Sequence, residues 1–234
     1  MISLDGLNPE QRAAAETVEG PVLILAGAGS GKTRTVTYRI AHMLENLKIP
    51  GNKILAVSFT NKAAAEMKER VSHLVSSRSR RGITLSTFHS LGIKILREDI
   101  HHLGYNNLFT IYDQADQMSI VREGLKSFKS NKAYDKGIVL SKIGLLKNNG
   151  ISVEDYPRSR FYHPDDAYDV VTEHIYHYYQ DKLHFYNALD FDDILFLVVK
   201  LFRNFPEVAK KYSERFQYIM IDEYQDTNSL QFSL

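Results

Sequence analysis

Over the first ninety residues, short aliphatic runs bounded by turn residues alternate with stretches in which apolar positions recur at helical spacing. Pro21 to Leu25 (PVLIL) reads as a buried strand stopped by glycines, and Val36, Ile40 and Leu44 then mark one face of a helix over Thr33 to Asn46. Lys53 to Phe59 (KILAVSF) predicts a second strand, Asn61 to Ser76 an Ala-rich helix, and Gly82 to Phe88 (GITLSTF) a third strand. Uninterrupted aliphatic strands separated by helices predict a parallel α/β sheet covered on both faces.

From His89 the pattern becomes helical. His89 to Leu103, Asp113 to Phe128, Lys136 to Asn148, Asp165 to Phe185 and Asp190 to Asn204 carry the apolar periodicity, with Gly104 and Gly150 as stop signals. No buried strand is predicted among them. After a short helix beginning near Pro206, Tyr218 to Asp222 (YIMID) returns to strand composition and runs into acids. A helical segment is therefore predicted to split the α/β core.

Composition narrows the chemistry. The 234 residues contain 44% apolar side chains, enough for one large or two smaller cores. With 29 Lys plus Arg against 28 Asp plus Glu, the net charge of +1 supplies no global attraction to polyanions, so any nucleic-acid site must be local. Cysteine is absent, which excludes disulfides, thiolate catalysis and thiolate-bound zinc. No window approaches the roughly 20 apolar residues that span a bilayer, and the N-terminus lacks a leader-like apolar stretch, so a cytoplasmic protein is expected.

Ala26-Gly27-Ala28-Gly29-Ser30-Gly31-Lys32-Thr33 matches the phosphate-loop pattern G-x-x-x-x-G-K-[ST], with Ala in the first position. Glycines let successive backbone N–H groups turn inward at a helix start, which forms a nest for the charge of a triphosphate. Lys32 would reach the outer phosphates, and the Thr33 hydroxyl would serve Mg²⁺, which binds through few protein oxygens plus the phosphates. Such a loop needs further acids from a neighbouring strand end. Asp222 is assigned to the Mg²⁺ shell through water, and Glu223 to polarising the attacking water, because adjacent acids leaving a strand point in different directions. Taken alone, a Gly-rich turn and two acids after a strand have plain structural readings; together they imply one triphosphate site.

Four blocks then coincide with a known pattern: LNPEQ, AGAGSGKTR, SFTNKAAAEMKER and TFHSLG, followed by DFDD and DEYQDTN. Over essentially the whole chain the sequence resembles superfamily 1 DNA helicases of the UvrD/Rep/PcrA type. The resemblance implies a RecA-like phosphate-loop domain over residues 1–88, an inserted all-helical accessory domain over 89–203, and a return to the RecA-like domain over 204–234. It implies ATP and Mg²⁺ as cofactors, and single-stranded DNA and 3′-tailed duplex as partners of a 3′ to 5′ motor. By resemblance Gln11 reads the adenine edge, Arg34 lies beside the base, and Phe59, Thr60, Asn61, Thr87, Phe88 and His89 touch single-stranded DNA. The family's second motor domain, with its transition-state arginines, has no counterpart here, so weak nucleotide binding and little turnover are expected of these residues alone.

Two readings from other classes stand beside this one. A non-catalytic DNA- or partner-binding module would keep the phosphate loop as a vestige. A small-molecule kinase would leave the TFHS and DEYQD blocks without a task. Three further groups are read as structural: Asp190, Asp192 and Asp193 as helix-capping acids, His174 and His177 as part of an aromatic helix rather than a metal site, and Arg78, Arg80 and Arg81 as a solvated loop.

Overall fold

The computed structural model describes residues 1–27, 29–130 and 132–234. The chain divides into two compact units, one made of residues 1–91 and 209–226, the other of 92–208 and 227–234.

The first unit is built on a three-stranded parallel sheet in the order β2 (Thr84–Thr87), β1 (Ile54–Ser58), β5 (Tyr218–Ile221). In the central strand β1 every residue is buried, as expected for a strand covered on both faces. Its register pairs Leu55 with Thr84 on one side and with Ile219 on the other. Helices α2 (Lys32–Glu45) and α3 (Asn61–Leu74) supply the covering side chains: Val36, Ile40, Met43 and Leu44 from α2 and Met67 and Val71 from α3 form one core with Ile54, Ala56 and Met220. Full burial of each such aliphatic side chain contributes about 1.5–3 kcal/mol. Helix α1 (Pro9–Glu16) is capped by Asn8, and Ala15 packs with Leu4, Leu7 and Tyr38 in a satellite cluster.

One expected strand does not form. Pro21 to Leu25 has no sheet partner, and Leu23 and Leu25 are 69% and 84% exposed. A strand exists only through a neighbour that takes up its backbone N–H and C=O groups. Here the outer edge of β5, where Ile219 is 58% exposed, faces a cavity of about 490 Å³ bounded by Val18, Gly20, Pro21, Tyr218 and Met220 instead of a paired chain. The aliphatic composition of the run was a correct sign of apolarity and an insufficient sign of pairing.

In the second unit, α5 (Gln114–Ser127), α6 (Lys136–Asn148) and α7 (Ala167–Phe185) enclose a core of Val121, Val139, Ile143, Leu146, Ile175, Tyr176, Tyr179 and Leu183. Helix α8 (Phe191–Asn204) contributes a nearly continuous buried run from Asp193 to Val199. A pair of two-residue strands, β3 (Thr110–Ile111) and β4 (Ala188–Leu189), is added without having been predicted, since two residues carry no readable period. The pair is clasped by Asn187, in the left-handed region at φ 49°, whose side chain exchanges hydrogen bonds with the backbone of Asn106. Helices α4 (Phe88–Asp99), α9 (Pro206–Arg215) and α10 (Ser229–Phe232) complete the elements discussed. Among the described residues, no helix is long and apolar enough to cross a membrane.

Gly51, just before β1, is a close-approach position. A Cβ there would stand 2.6 Å from the Arg81 carbonyl oxygen and 2.9 Å from the Ile83 nitrogen, both backbone atoms that cannot rotate away. Gly51→Ala is expected to destabilise the first unit by about 1–3 kcal/mol, the usual cost of overpacking, measured by urea unfolding; an unchanged midpoint would show that the 81–83 backbone gives way freely.

Candidate nucleotide site

The phosphate loop leads directly into α2. Gly29 and Gly31 take φ values of 75° and 88°, and Gly31 is the N-cap of the helix. At Gly31 the requirement is double, because a Cβ would also meet the Gln11 side chain at 2.9 Å. Ser30 closes the turn by donating its N–H and hydroxyl to the Gly27 carbonyl at 3.3 and 2.6 Å. Ala28, one of the predicted nucleotide-binding residues, lies outside the described residues. Lys32 folds back so that its Nζ donates to the Ala26 carbonyl at 3.2 Å and the Gly27 carbonyl at 3.5 Å. The ammonium thus lies over the same loop whose amides are predicted to hold phosphate.

The decisive contact joins the two ends of the chain. Thr33 Oγ1 donates to Asp222 Oδ2 at 3.3 Å across 189 positions of sequence. Asp222 is 7% exposed and is placed by the sheet, since its N–H donates to the Val57 carbonyl at 2.9 Å and so extends the β1–β5 ladder by one residue. The hydroxyl and the carboxylate are hard oxygen donors at the start of a helix, a pair suited to a small divalent cation such as Mg²⁺ that keeps most of its own water.

Glu223 follows in a different conformation. Its φ of 55° is one of few positive values at non-glycine positions among the described residues; it turns the chain out of β5 and leaves the Glu223 side chain exposed next to buried Asp222. Gln225 Nε2 donates to Glu223 Oε2, and the Asp226 N–H donates to the Glu223 carbonyl at 2.9 Å. The role of Gln225 was not anticipated: within DEYQDTN only the acids carry an obvious chemistry, and i to i+2 contact arises from the turn rather than from any period.

Gln11 and Arg34 flank the loop. Gln11 Nε2 donates to the Ser30 carbonyl at 2.9 Å, and Gln11 Oε1 accepts from the Asn8 N–H at 3.2 Å in a capping box. One N–H and one lone pair of the amide remain for another partner. Arg34 donates to the Gly6 carbonyl at 2.8 Å, with its guanidinium 5.5 Å from the centre of the Tyr38 ring.

The six residues predicted to meet single-stranded DNA lie at the C-terminal ends of β1 and β2, and they differ in access. Thr60 and Asn61 are exposed, Phe59 and His89 are half-buried, and Thr87 and Phe88 are buried. Phe88, 4% exposed, meets Phe59 edge-on with centroids 5.5 Å apart and therefore supports that ring instead of offering a face of its own. Thr60 Oγ1 caps α3 by accepting from Ala63 at 3.1 Å, and Thr87 Oγ1 donates to Ser90 Oγ at 3.0 Å. Burial holds the His89 imidazole below its ordinary pKa, so it is neutral at physiological pH.

Asp190 and Asp193 form a reciprocal capping box at the start of α8, and the His174 ring packs 5.2 Å from Phe128.

Comparison with known proteins identifies the family. The family model described as the UvrD/REP helicase N-terminal domain matches residues 7–234. The chain is 44% identical over 232 residues to the ATP-dependent DNA helicase PcrA of Bacillus subtilis, 42% identical over 232 residues to that of Staphylococcus aureus, and 39% identical over 231 residues to that of Leuconostoc citreum. These alignments cover 98–99% of this chain and 30–31% of the relatives, so it spans about a third of their length. With a phosphate loop and an acidic strand end meeting at Thr33 and Asp222, and a family match over nearly every residue, the chain belongs to the UvrD/REP helicase family and corresponds to its N-terminal domain.

Proposed function

We propose that this chain is the ATP-binding and single-strand-binding portion of a 3′ to 5′ DNA helicase, a RecA-like motor domain into which the helical segment 89–203 is inserted as an accessory domain. The observation that carries the reading is the Thr33–Asp222 contact, which brings the phosphate loop to the acidic strand end. In this reading the backbone N–H groups around Gly29 to Thr33 bind the outer phosphates, helped by the positive end of α2. Lys32 exchanges the Ala26 and Gly27 carbonyls for phosphate oxygens, a short movement of one flexible side chain. Thr33 and Asp222 are the residues that would hold Mg²⁺, and the ion would supply charge neutralisation for the phosphates. Glu223, turned away from Asp222 by its backbone and held by Gln225, orients the attacking water and takes its proton. Gln11 uses its remaining donor and acceptor on the adenine edge, and Arg34 lies against the base.

Single-stranded DNA is proposed to cross the ends of β1 and β2, with Phe59 stacking on a base while Thr60 and Asn61 hold phosphates. Phe88 backs the Phe59 ring, and Thr87 and His89 complete the edge. Such contacts are indifferent to sequence, as a translocating motor requires. Helicase activity on single-stranded and 3′-tailed DNA belongs in this proposal to the longer protein type represented by the relatives.

Two outcomes test the reading. Mg·ATP is expected to raise the thermal unfolding temperature of the chain, and Lys32→Ala to weaken that protection at least about tenfold in nucleotide concentration, the loss of one charge-assisted contact; equal protection in both would favour a non-catalytic module with a vestigial loop. Phe59→Ala is expected to weaken binding of a fluorescent oligothymidine by about 1–3 kcal/mol with its salt dependence unchanged, because stacking is lost and phosphate contacts are kept. Unaltered affinity would remove Phe59 from the strand path.

A further inference from the structure

The most heavily buried charges in the chain lie outside the nucleotide site. Lys147 of α6 is 0% exposed and ends between two carboxylates, with Nζ 2.6 Å from Asp190 Oδ2 and 2.8 Å from Asp193 Oδ1. Asp190 and Asp193 also cap each other: the Asp193 N–H donates to Asp190 Oδ1 at 2.7 Å and the Asp190 N–H to Asp193 Oδ2 at 3.1 Å. From α7, Tyr179 donates its hydroxyl to Asp190 Oδ2 at 2.8 Å, and Gln180 Nε2 reaches Asp193 Oδ1 at 3.5 Å. Two ionised acids against one ammonium leave one excess negative charge with no water to screen it.

A second observation marks where a proton would settle. Gln180 Oε1 is a buried acceptor with no partner, on the same amide that makes the long contact to Asp193. Turned about its last torsion, that amide presents the oxygen to Asp193 Oδ1, and a protonated carboxyl would donate to it. The other groups facing the cluster give no relief. Tyr105 and Tyr176 have their hydroxyl pKa values raised, by burial first and then by Asp193 and Asp190. Asp192, raised mainly by burial, accepts from Asn148 at 2.9 Å and adds further negative charge nearby.

We infer that Lys147, Asp190, Asp193 and Gln180 form a proton-operated latch that joins α6 and α7 to the start of α8, loose when both carboxylates are ionised and tight when Asp193 holds a proton bonded to Gln180. The step is one proton taken from solvent onto Asp193 with rotation of one amide, and no other group changes state. Burial, followed by the charge of Asp190, pushes the Asp193 carboxyl up to about 6 against the opposing pull of Lys147. For Asp190 burial acts in the same direction, but Lys147 and the hydrogen bonds outweigh it and hold the group below its usual value. Lys147 is pulled down by burial and raised, on balance, by the two acids.

The sign of the pH dependence follows from these directions. Asp193 has a higher pKa folded than unfolded, so the folded chain binds the extra proton, and stability rises as pH falls from above about 6 towards its ordinary 3.8. The contribution of Asp190 is present above 3.8 and is lost only below it, outside that window. Asp192 shifts in the same direction as Asp193 but is common to the parent chain and the Asp193→Asn variant, so it cancels in their comparison.

Two measurements test the latch on the 234-residue chain. Carbon-13 titration of the unaltered protein is expected to place the Asp193 carboxyl near 6, and a midpoint at or below the ordinary value would overturn the proposal. The ratio of folding constants, parent over Asp193→Asn, is expected to rise roughly tenfold from pH 7.5 to pH 5, with matching protection of the first amides of α8 against hydrogen exchange. A ratio independent of pH would also overturn it, and should the variant not fold, the titration decides alone.

Discussion

A hydroxyl at the start of α2 and a carboxylate at the end of β5 meet only because the sheet holds β5 beside β1 in one register. Asp222 continues the β1–β5 ladder through its bond to the Val57 carbonyl. A slip of one residue would move that carboxylate by about 3.3 Å and turn it to the opposite face. The register is held by burial. Met220 enters the same core as Ile40, Met43 and Ile54, and a slip would exchange it for exposed Ile219 or partly buried Ile221. The geometry of the candidate site is thus a consequence of aliphatic packing two or three residues away from it.

Around that contact, backbone conformation does work that side chains alone do not. Gly31 provides the positive φ with which α2 begins, and Glu223 accepts a positive φ that most residues avoid. The cost of the second, of order 1 kcal/mol or more, is met by the turn that follows and by Gln225. Rigid sheet beneath and strained turn above leave Asp222 buried and the adjacent Glu223 exposed, as the two roles proposed for them ask.

The helical unit answers a different problem. Its core is rich in tyrosine, and each buried hydroxyl must find a partner: Tyr156 donates to Asp169 at 2.9 Å, Tyr176 to the Ile151 carbonyl at 3.1 Å, and Tyr179 to Asp190 at 2.8 Å. Buried acids partner the buried tyrosines, and lysines in turn partner those acids. Asp169 accordingly also accepts from Lys142 at 2.5 Å and from the His163 N–H at 3.0 Å. The cluster at Lys147 combines two buried acids, one ammonium and the unpartnered Gln180 Oε1.

Much of what is encoded locally was legible in the sequence, the Gln225–Glu223 contact being an exception. Helix α6 spans the residues its periodicity predicts, Lys136–Asn148, and α5 and α8 differ from expectation by a residue or so at their ends, because apolar spacing and capping residues act over a single turn. The phosphate loop was legible for the same reason, since its glycines, Lys32 and Thr33 are consecutive. What depends on partners distant in sequence was decided by tertiary structure alone. Aliphatic Pro21 to Leu25 is no strand without a neighbour, and two residues at 110–111 become one when 188–189 lie alongside. The same holds for access: Phe59 and Phe88 each follow directly on a strand, yet one is half-open and the other buried. Lys147, an unremarked lysine near a helix end, is a buried counter-charge only because Asp190 and Asp193 arrive from 43 residues and more away. Hydrogen bonds within a turn are written in adjacent residues, whereas burial and pairing are properties of what the rest of the chain brings to the spot.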